Sequence, residues 1–418
     1  MTAGSESSSR PAEAAPWRGA AAVGLVLLTL SFAALHLPLL GELRIVDTPV
    51  YQLYGERIAA GEAPYADFRL EYPPAALIVF WLPTVGPADD YAAIFEVLMW
   101  MCGAAAIVAL AGTLAVLNAS SRRLYGAVAF AGIAPLLLGP VVLSRFDLWP
   151  AALLAAALAA FVSGRETAGW SALAAAVAAK LYPLAVLPLA LGWAARRLGG
   201  RRALLGLGAF LLTLAALVVP FALVSPGGLA DSLGRQLGRP LQVESLGASF
   251  LLAAHQLGWY EPTVVSSYGS QNLAGSLPDA LAAASSVVQA GAIVAVWAFA
   301  LRDGARSERL ALASAAAVTA FIAFGKVLSP QFLIWLIPLV PLVGGRAGVR
   351  AAALLGAALV ATQVWFPTRY WDMVALGPEA WIVLARDLLL VALFGVLLRA
   401  LASRDDPVSV SRVSRSGV

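Results

Sequence analysis

Asp47 directly follows an apolar run of span length and opens the segment Val46 to Pro74, VDTPVYQLYGERIAAGEAPYADFRLEYPP. A carboxylate at a membrane surface could act as a general base, taking the proton from a hydroxyl as its oxygen attacks an electrophilic carbon. An aspartate before the helical stretch Val50 to Ala60 has an equally ordinary use as an N-cap, and Asp67 and Glu71 are rival carboxylates in the same segment. The only two lysines, Lys180 and Lys326, fall at the ends of apolar segments, and Arg145 and Arg239 occupy comparable positions. Fixed cations in a place short of water stabilise the negative charge that develops on a phosphate leaving group. Ionisable groups at membrane depth are costly and so point to function, with snorkelling to the interface as the structural alternative. Arg145 and Asp147 could simply pair with one another. Gln242 and Glu244 could bind ligand hydroxyls or merely open the helix Leu246 to Leu257.

The elements that must position these residues follow from composition. Of 418 residues, 61% are hydrophobic and 12% charged, where a soluble domain carries about 25% charged residues. Apolar runs of about 20 residues, the length that crosses a hydrocarbon layer about 30 Å thick, recur from Ala20 to the C-terminus. Continuous Ala, Leu and Val runs without strand alternation select helices over a closed barrel. The expected fold is therefore all-α, a polytopic transmembrane bundle of about 10 to 12 spans with extracytoplasmic loops and re-entrant or interfacial helices. Helices are expected at 20–40, 91–117, 124–143, 148–163, 168–194, 203–224, 279–301, 308–324, 331–343, 349–366 and 380–402. Lys180, Tyr182 and Pro183 break the 168–194 stretch into two half-helices meeting at a polar turn, because proline removes a donor and clashes with the preceding turn. The run from Pro73 to Pro83 is too short to span upright and reads as re-entrant. Residues 1–19 and 403–418 read as disordered cytoplasmic tails around a membrane domain at 20–402.

A net charge of +4 raises nucleic acid as a partner, but the basic residues are scattered through short loops, a distribution that suits membrane topology. With both termini in the cytoplasm, the arginine-rich connections fall inside, including the cluster Arg196 to Arg202, as the positive-inside rule asks. The loops that mix charged, aromatic and amide side chains then all face outward: Val46 to Pro74, Ser144 to Asp147, Lys180 to Pro183, Arg235 to Ser245, Tyr268 to Ser276, Gly325 to Gln331 and Pro367 to Asp372. Cys102 is the single cysteine, inside an apolar run, so no intrachain disulfide or thiolate metal site is available. His36, placed inside the first span, and His255 read as core residues. No phosphate-binding glycine loop, dinucleotide fingerprint, zinc spacing or nucleophile elbow occurs in a suitable context, and no cofactor is expected. A metal site built from Asp47, Asp67 and Glu71 is disfavoured, since fixed basic residues can neutralise a monophosphate.

The ordered motifs carry a resemblance. Asp47-x-x-Val50-Tyr51 after the first span, the turn Gly61 to Tyr65, Tyr72-Pro73-Pro74, Arg145-Phe146-Asp147, Lys180-Leu181-Tyr182-Pro183, Gln242-Val243-Glu244-Ser245 and Lys326 to Gln331 together resemble the polyprenol-phosphate-mannose-dependent mannosyltransferases of glycosyltransferase family 87. Those belong to the C-type, multi-spanning superfamily, and the resemblance covers about residues 20–400. It implies that Asp47 is the general base. The family's histidine-containing motif after Ser-Pro is replaced here by Gln331, Phe332 and Leu333, which leaves acceptor and sugar open.

The resemblance implies a plasma-membrane glycosyltransferase acting on the extracytoplasmic face. It would transfer a sugar, mannose first among candidates, from a polyprenyl-phosphate donor to a cell-envelope lipid or glycan acceptor, with inversion. Lys180, Lys326, Arg145 and Arg239 would hold the donor phosphate, and Tyr51, Tyr72, Gln242, Glu244 and Gln331 would contact sugar or acceptor. A transporter or flippase is the alternative, since broken helices and intramembrane lysines also mark substrate paths. Polar motifs gathered at one face, without an internal repeat, favour the transferase.

Overall fold

A computed structural model describes residues 16–37, 45–302 and 304–403; the tail expectations for 1–15 and 404–418 lie outside the described residues. Its long helices are α1 (Pro16–Leu35), α4 (Tyr91–Val116), α5 (Ser121–Leu138), α9 (Gly200–Val224), α12 (Ser276–Ala300), α14 (Gly345–Trp365) and α16 (Ala380–Ala402). Shorter ones are α2 (Thr48–Ala59), α3 (Leu77–Trp81), α6 (Leu148–Val162), α7 (Glu166–Ala179), α8 (Leu187–Leu198), α10 (Pro226–Leu237), α11 (Leu246–Gln256), α13 (Ser307–Ala323) and α15 (Tyr370–Val374). The chain is a helical, multi-pass membrane protein: among the described residues six helices, α1, α4, α9, α12, α14 and α16, are long and apolar enough to cross a bilayer. Shorter apolar helical stretches lie at Pro74–Val85, Leu148–Val162 and Pro330–Leu342. Only 6% of the most apolar stretch of α9, and likewise of α12, is buried. Their leucines, such as Leu204, Leu212 and Leu223, point outward, as a hydrocarbon solvent allows.

Arginine contacts tie the helix ends together on one side. At one end Arg309 donates to the carbonyls of Phe299 and Leu401 at 2.6 and 2.9 Å, Arg202 meets Glu166 at 3.5 Å, and Arg123 donates to the Leu342 carbonyl at 2.5 Å. Arginine there caps helix C-termini, whose exposed carbonyls carry partial negative charge. The other end carries the polar segments that connect α1 to α4, α5 to α6, α7 to α8, α9 to α12 and α14 to α16.

The chain departs from the sequence expectation at several places. The 331–343 helix is instead two 3-10 turns, Pro330–Leu336 and Val340–Leu342, because Pro330, Pro338 and Pro341 each withhold the donor an α-helix needs. The first helix starts at Pro16, so residues 16–19 belong to it, and ends at Leu35. His36 therefore lies beyond the span rather than in its core, with its side chain 57% exposed and 3.2 Å from Glu96 at the start of α4. His255 on α11 is half-buried, its Nδ1 3.1 Å from the Tyr260 carbonyl. The fold is not wholly α: β1 (Leu241–Gln242), β2 (Thr263–Ser267) and β3 (Ser270–Ala274) form an antiparallel sheet in the order β1-β3-β2. The hairpin turns at Tyr268 and Gly269, both with positive φ (54° and 67°), the two-residue geometry whose twist matches paired strands.

Small residues let α1 and α5 approach closely. Ser31 on α1 donates to the Gly132 carbonyl of α5 at 2.7 Å, and a Cβ on Gly132 would come within 2.6 Å of the Gly24 carbonyl oxygen. Helices in lipid associate by such close backbone approach. Gly132→Leu should cost about 1–3 kcal/mol by overpacking and lower the thermal unfolding midpoint in detergent. Gly112→Leu, on the open side of α4 where an added Cβ meets nothing within 4 Å, should leave it unchanged.

Candidate functional site

Asp47 stands at the N-cap position of α2 but does not cap it: its backbone is helical (φ −98°, ψ −7°) and its side chain accepts no capping hydrogen bond from the backbone of the helix. The carboxylate turns to the Arg145 guanidinium, with which it forms an ion pair, and accepts from the Tyr51 hydroxyl at 3.3 Å. Arg145 is 6% exposed and Asp47 29%, so the pair sits half out of water. Tyr51 is itself fully buried in an aromatic nest, stacked on Phe80 at 4.4 Å and edge-on to Tyr72 and Phe146, both at 5.7 Å. That nest holds the first turn of α2 against the start of α6.

Asp147 does not pair with Arg145. Arg145 lies in the non-helical stretch ahead of α6, and its guanidinium is taken by Asp47. Asp147, with no exposure, instead accepts from the Lys180 ammonium at 2.5 Å and from the Trp335 indole at 2.6 Å, both on Oδ1. Its Oδ2 is buried without a hydrogen-bond partner. Lys180 reaches this place because α7 stops there: its backbone is extended (φ −160°, ψ 142°) ahead of the 3-10 turn Tyr182–Val186. Its ammonium lies 4.6, 5.4 and 5.1 Å from the ring centres of Phe146, Phe332 and Trp335, and Tyr182 stacks on Trp335 at 4.0 Å. An ammonium so enclosed is neutralised by one carboxylate and several ring faces.

The third group comes from the segment between α10 and α11. Arg239 donates to the Ser270 hydroxyl at 2.9 Å, while its Nε is buried without a partner. Burial lowers its pKa, offset first by Glu71 and then by Tyr72 and Glu244. β1 turns Gln242 inward, and its amide donates to the Glu244 carboxylate; both side chains are buried. The other oxygens of this amide and carboxylate, Oε1 of each, find no partner. Burial pushes the Glu244 carboxyl up to about 7, against the pull of Arg386, Arg145, the Gln242 hydrogen bond and Arg239. Arg145 and Arg239 also act electrostatically on Lys180, so the three groups form one charged assembly.

Not every candidate joins it. Lys326 is connected only through its backbone, whose carbonyl accepts from Gln242 at 3.0 Å. Its ammonium turns aside to the Leu237 carbonyl at 2.8 Å. Gln331 is buried and lies 3.4 Å from the Ser329 hydroxyl, next to the Phe332 that faces Lys180. Tyr72 is inside the aromatic nest, edge-on to Phe146 at 5.1 Å. Asp67 is spent on its own turn, accepting from the Ala63 amide at 2.7 Å, and Glu71 stands near Arg239 without an ion pair. Among the described residues no group of three His, Cys, Asp or Glu could hold a metal ion.

Sequence reading missed Arg386 and Asp387 on α16. Both are fully buried and 2.7 Å apart, and Arg386 donates to the Glu244 backbone carbonyl at 2.9 Å. An adjacent Arg-Asp in mid-run of an apolar 23-residue helix was the available signal, since such charges are rare at membrane depth. Trp335, the second donor to Asp147, carried no signal distinguishing it from a core aromatic.

Arg145, Lys180 and Arg386 meet Asp47, Asp147 and Asp387 in ion pairs, whereas Arg239 has no carboxylate in ion-pair contact among the described residues. Glu71 is the strongest opposing charge acting on Arg239, whose buried Nε has no partner, and such a guanidinium can accept an anion.

No protein-family model and no curated protein matches the chain. A crystal structure of ArnT from Cupriavidus metallidurans bound to undecaprenyl phosphate is similar at a TM-score of 0.47 and 15% identity, covering 92% of this chain and 77% of that one.

Removing one member of a buried pair leaves the other uncompensated, at a cost of about 3–5 kcal/mol. Asp147→Asn should therefore lower the thermal midpoint strongly, and adding Lys180→Met to it should recover most of the loss; equal midpoints for the single and double variants would show that Lys180 finds another counter-ion.

Proposed function

We propose that the protein transfers a sugar, with mannose as the first candidate, from a polyprenyl-phosphate donor to a hydroxyl of a cell-envelope lipid or glycan, inverting the anomeric centre. The observation that carries this reading is the pairing of a water-accessible carboxylate, Asp47, with a guanidinium, Arg145, in an assembly whose further guanidinium, Arg239, has no ion-pair partner among the described residues. An acid-base group and an anion site side by side are what transfer from a lipid monophosphate requires.

The donor would enter laterally from the bilayer and place its phosphate between Arg239 and Arg145, with Lys180 and Lys326 adding to the positive field. As Arg145 turns to the phosphate it releases Asp47. Asp47 then takes the proton of the acceptor hydroxyl, whose oxygen forms the new bond to the anomeric carbon. The bond from that carbon to the phosphate oxygen breaks, and the lipid phosphate leaves with the electron pair against the fixed cations. Tyr72 and Gln331 would line the approach, with Tyr51 holding Asp47 from within the aromatic nest, and the unpartnered oxygens of Gln242 and Glu244 suit sugar hydroxyls.

The site is proposed to face the extracytoplasmic side with both termini in the cytoplasm, since the arginine-capped end is the one the positive-inside rule retains. Nucleotide sugars are confined to the cytosol, whereas a lipid carrier reaches the outer face. A reporter inserted after Tyr72 should read extracytoplasmic in intact cells; a cytoplasmic signal would remove the reason for a lipid-linked donor.

Membrane vesicles given labelled polyprenyl-phosphate mannose and lipid acceptors should transfer the sugar. Asp47→Asn should slow the transfer about 100-fold or more, the lower range for losing a general base. Transfer at the unmodified rate would show that Asp47 is not the base.

A further inference from the structure

We propose that the buried pair Arg386 and Asp387 is a positioning device for Glu244, holding its segment and setting the charge of its carboxyl from inside the membrane-spanning helix α16; the role assigned to Glu244 rests on the function proposed above, but the coupling itself does not. Three observations support it. Arg386 and Asp387 are fully buried in the middle of an apolar helix, where ions are costly and well-packed apolar residues would serve as glue at least as well. Arg386 is oriented rather than merely neutralised. Its Nε faces Asp387 Oδ1 at 2.7 Å, its Nη2 reaches the Glu244 carbonyl at 2.9 Å, and its plane lies 5.8 Å from the Trp365 ring. Finally, α16 lies outside every motif of the candidate site, yet its guanidinium is the strongest charge acting on Glu244.

Glu244 is faced by Arg386 from α16, with Asp387 beside that guanidinium, by Arg145 ahead of α6, by Arg239 and Gln242 around β1, and by Tyr370 of α15. Its carboxyl is held up by burial to about 7, so it changes charge near neutrality, and Arg386 favours the ionised form. Asp387 works in the opposite direction: it anchors the guanidinium and offsets part of its charge. The pair is therefore expected to act with two signs. Removing the cation makes Glu244 harder to ionise, and neutralising its partner makes Glu244 easier to ionise.

The full-length protein in lipid nanodiscs tests this by infrared titration of the carboxyl band that disappears in Glu244→Gln, a readout that needs no substrate. Arg386→Met should move the midpoint to higher pH by about one unit or more, the effect of losing a close opposite charge. Asp387→Asn should move it to lower pH, and Arg386→Lys, which keeps the charge, should leave it near the unmodified value. In the transfer assay the acid limb of the kcat/KM profile should move with these midpoints. A uniform loss of activity with an unmoved midpoint, or shifts of one sign in both variants, would overturn the proposal. If Arg386→Met fails to accumulate, the downward shift in Asp387→Asn decides alone. Absence of any transfer by the unmodified protein would defeat the proposed function and leave the infrared result standing.

Discussion

The constraint on which this molecule depends is that charge can be kept among apolar helices only if it is paired, and that the paired groups tie together segments far apart in sequence. Asp47 meets Arg145, Asp147 meets Lys180, and Arg386, paired with its neighbour Asp387, reaches the carbonyl of Glu244. Each of these contacts joins elements that hydrophobic association alone would not register, because lipid-facing and helix-facing leucines are energetically alike in a bilayer. The ions thus specify how the ends of α2, α6, α7, α11 and α16 are set against one another. Their stabilising effect is small beside the cost of burying them, and their effect on register is large.

The interruptions of the helices serve the same end. A continuous α-helix would carry Lys180 past the level of Asp147; the extended backbone at Lys180 and the 3-10 turn that follows stop the rise there. Likewise the proline-rich 3-10 path from Pro330 to Leu342 presents Phe332 and Trp335 on the same side, stacked at 4.2 Å, so that both rings face one ammonium. Backbone that leaves the α form within a bundle must find its hydrogen bonds locally, and 3-10 turns provide them at the price of poorer geometry.

Much of this could be read in the sequence. Apolar run length located the spans to within a few residues, and Lys180 with Pro183 announced the broken helix, because both signals are local. What escaped depended on pairing across the fold. Arg145 and Asp147 sit one residue apart, which suggests a partnership, but each finds its counter-ion in a distant segment. Arg386 and Asp387 lie within a run so apolar that hydropathy averages conceal them. The hairpin at Thr263 to Ala274 was signalled by its β-branched residues and the glycine at its turn, yet it was masked by the expectation of an all-helical chain. The contact of Asp47 with Arg145 had no local sequence signal, since almost a quarter of the chain separates them.

Electroneutrality links the two halves of the site. Ionised, Glu244 is favoured by Arg386, Arg145 and Arg239; protonated, it leaves Arg239 opposed chiefly by Glu71. On the proposed reading, a donor phosphate seated against Arg239 and Arg145 weakens the hold of those two cations on Glu244. Glu244 then favours its protonated form, which can donate a hydrogen bond to a sugar oxygen instead of competing with the phosphate for the arginines. On the same reading, loss of Arg386 would favour the protonated form with or without the donor and blunt the exchange. An arginine inside a spanning helix, in contact with no expected substrate atom, would thereby set how readily the site changes charge when the donor binds.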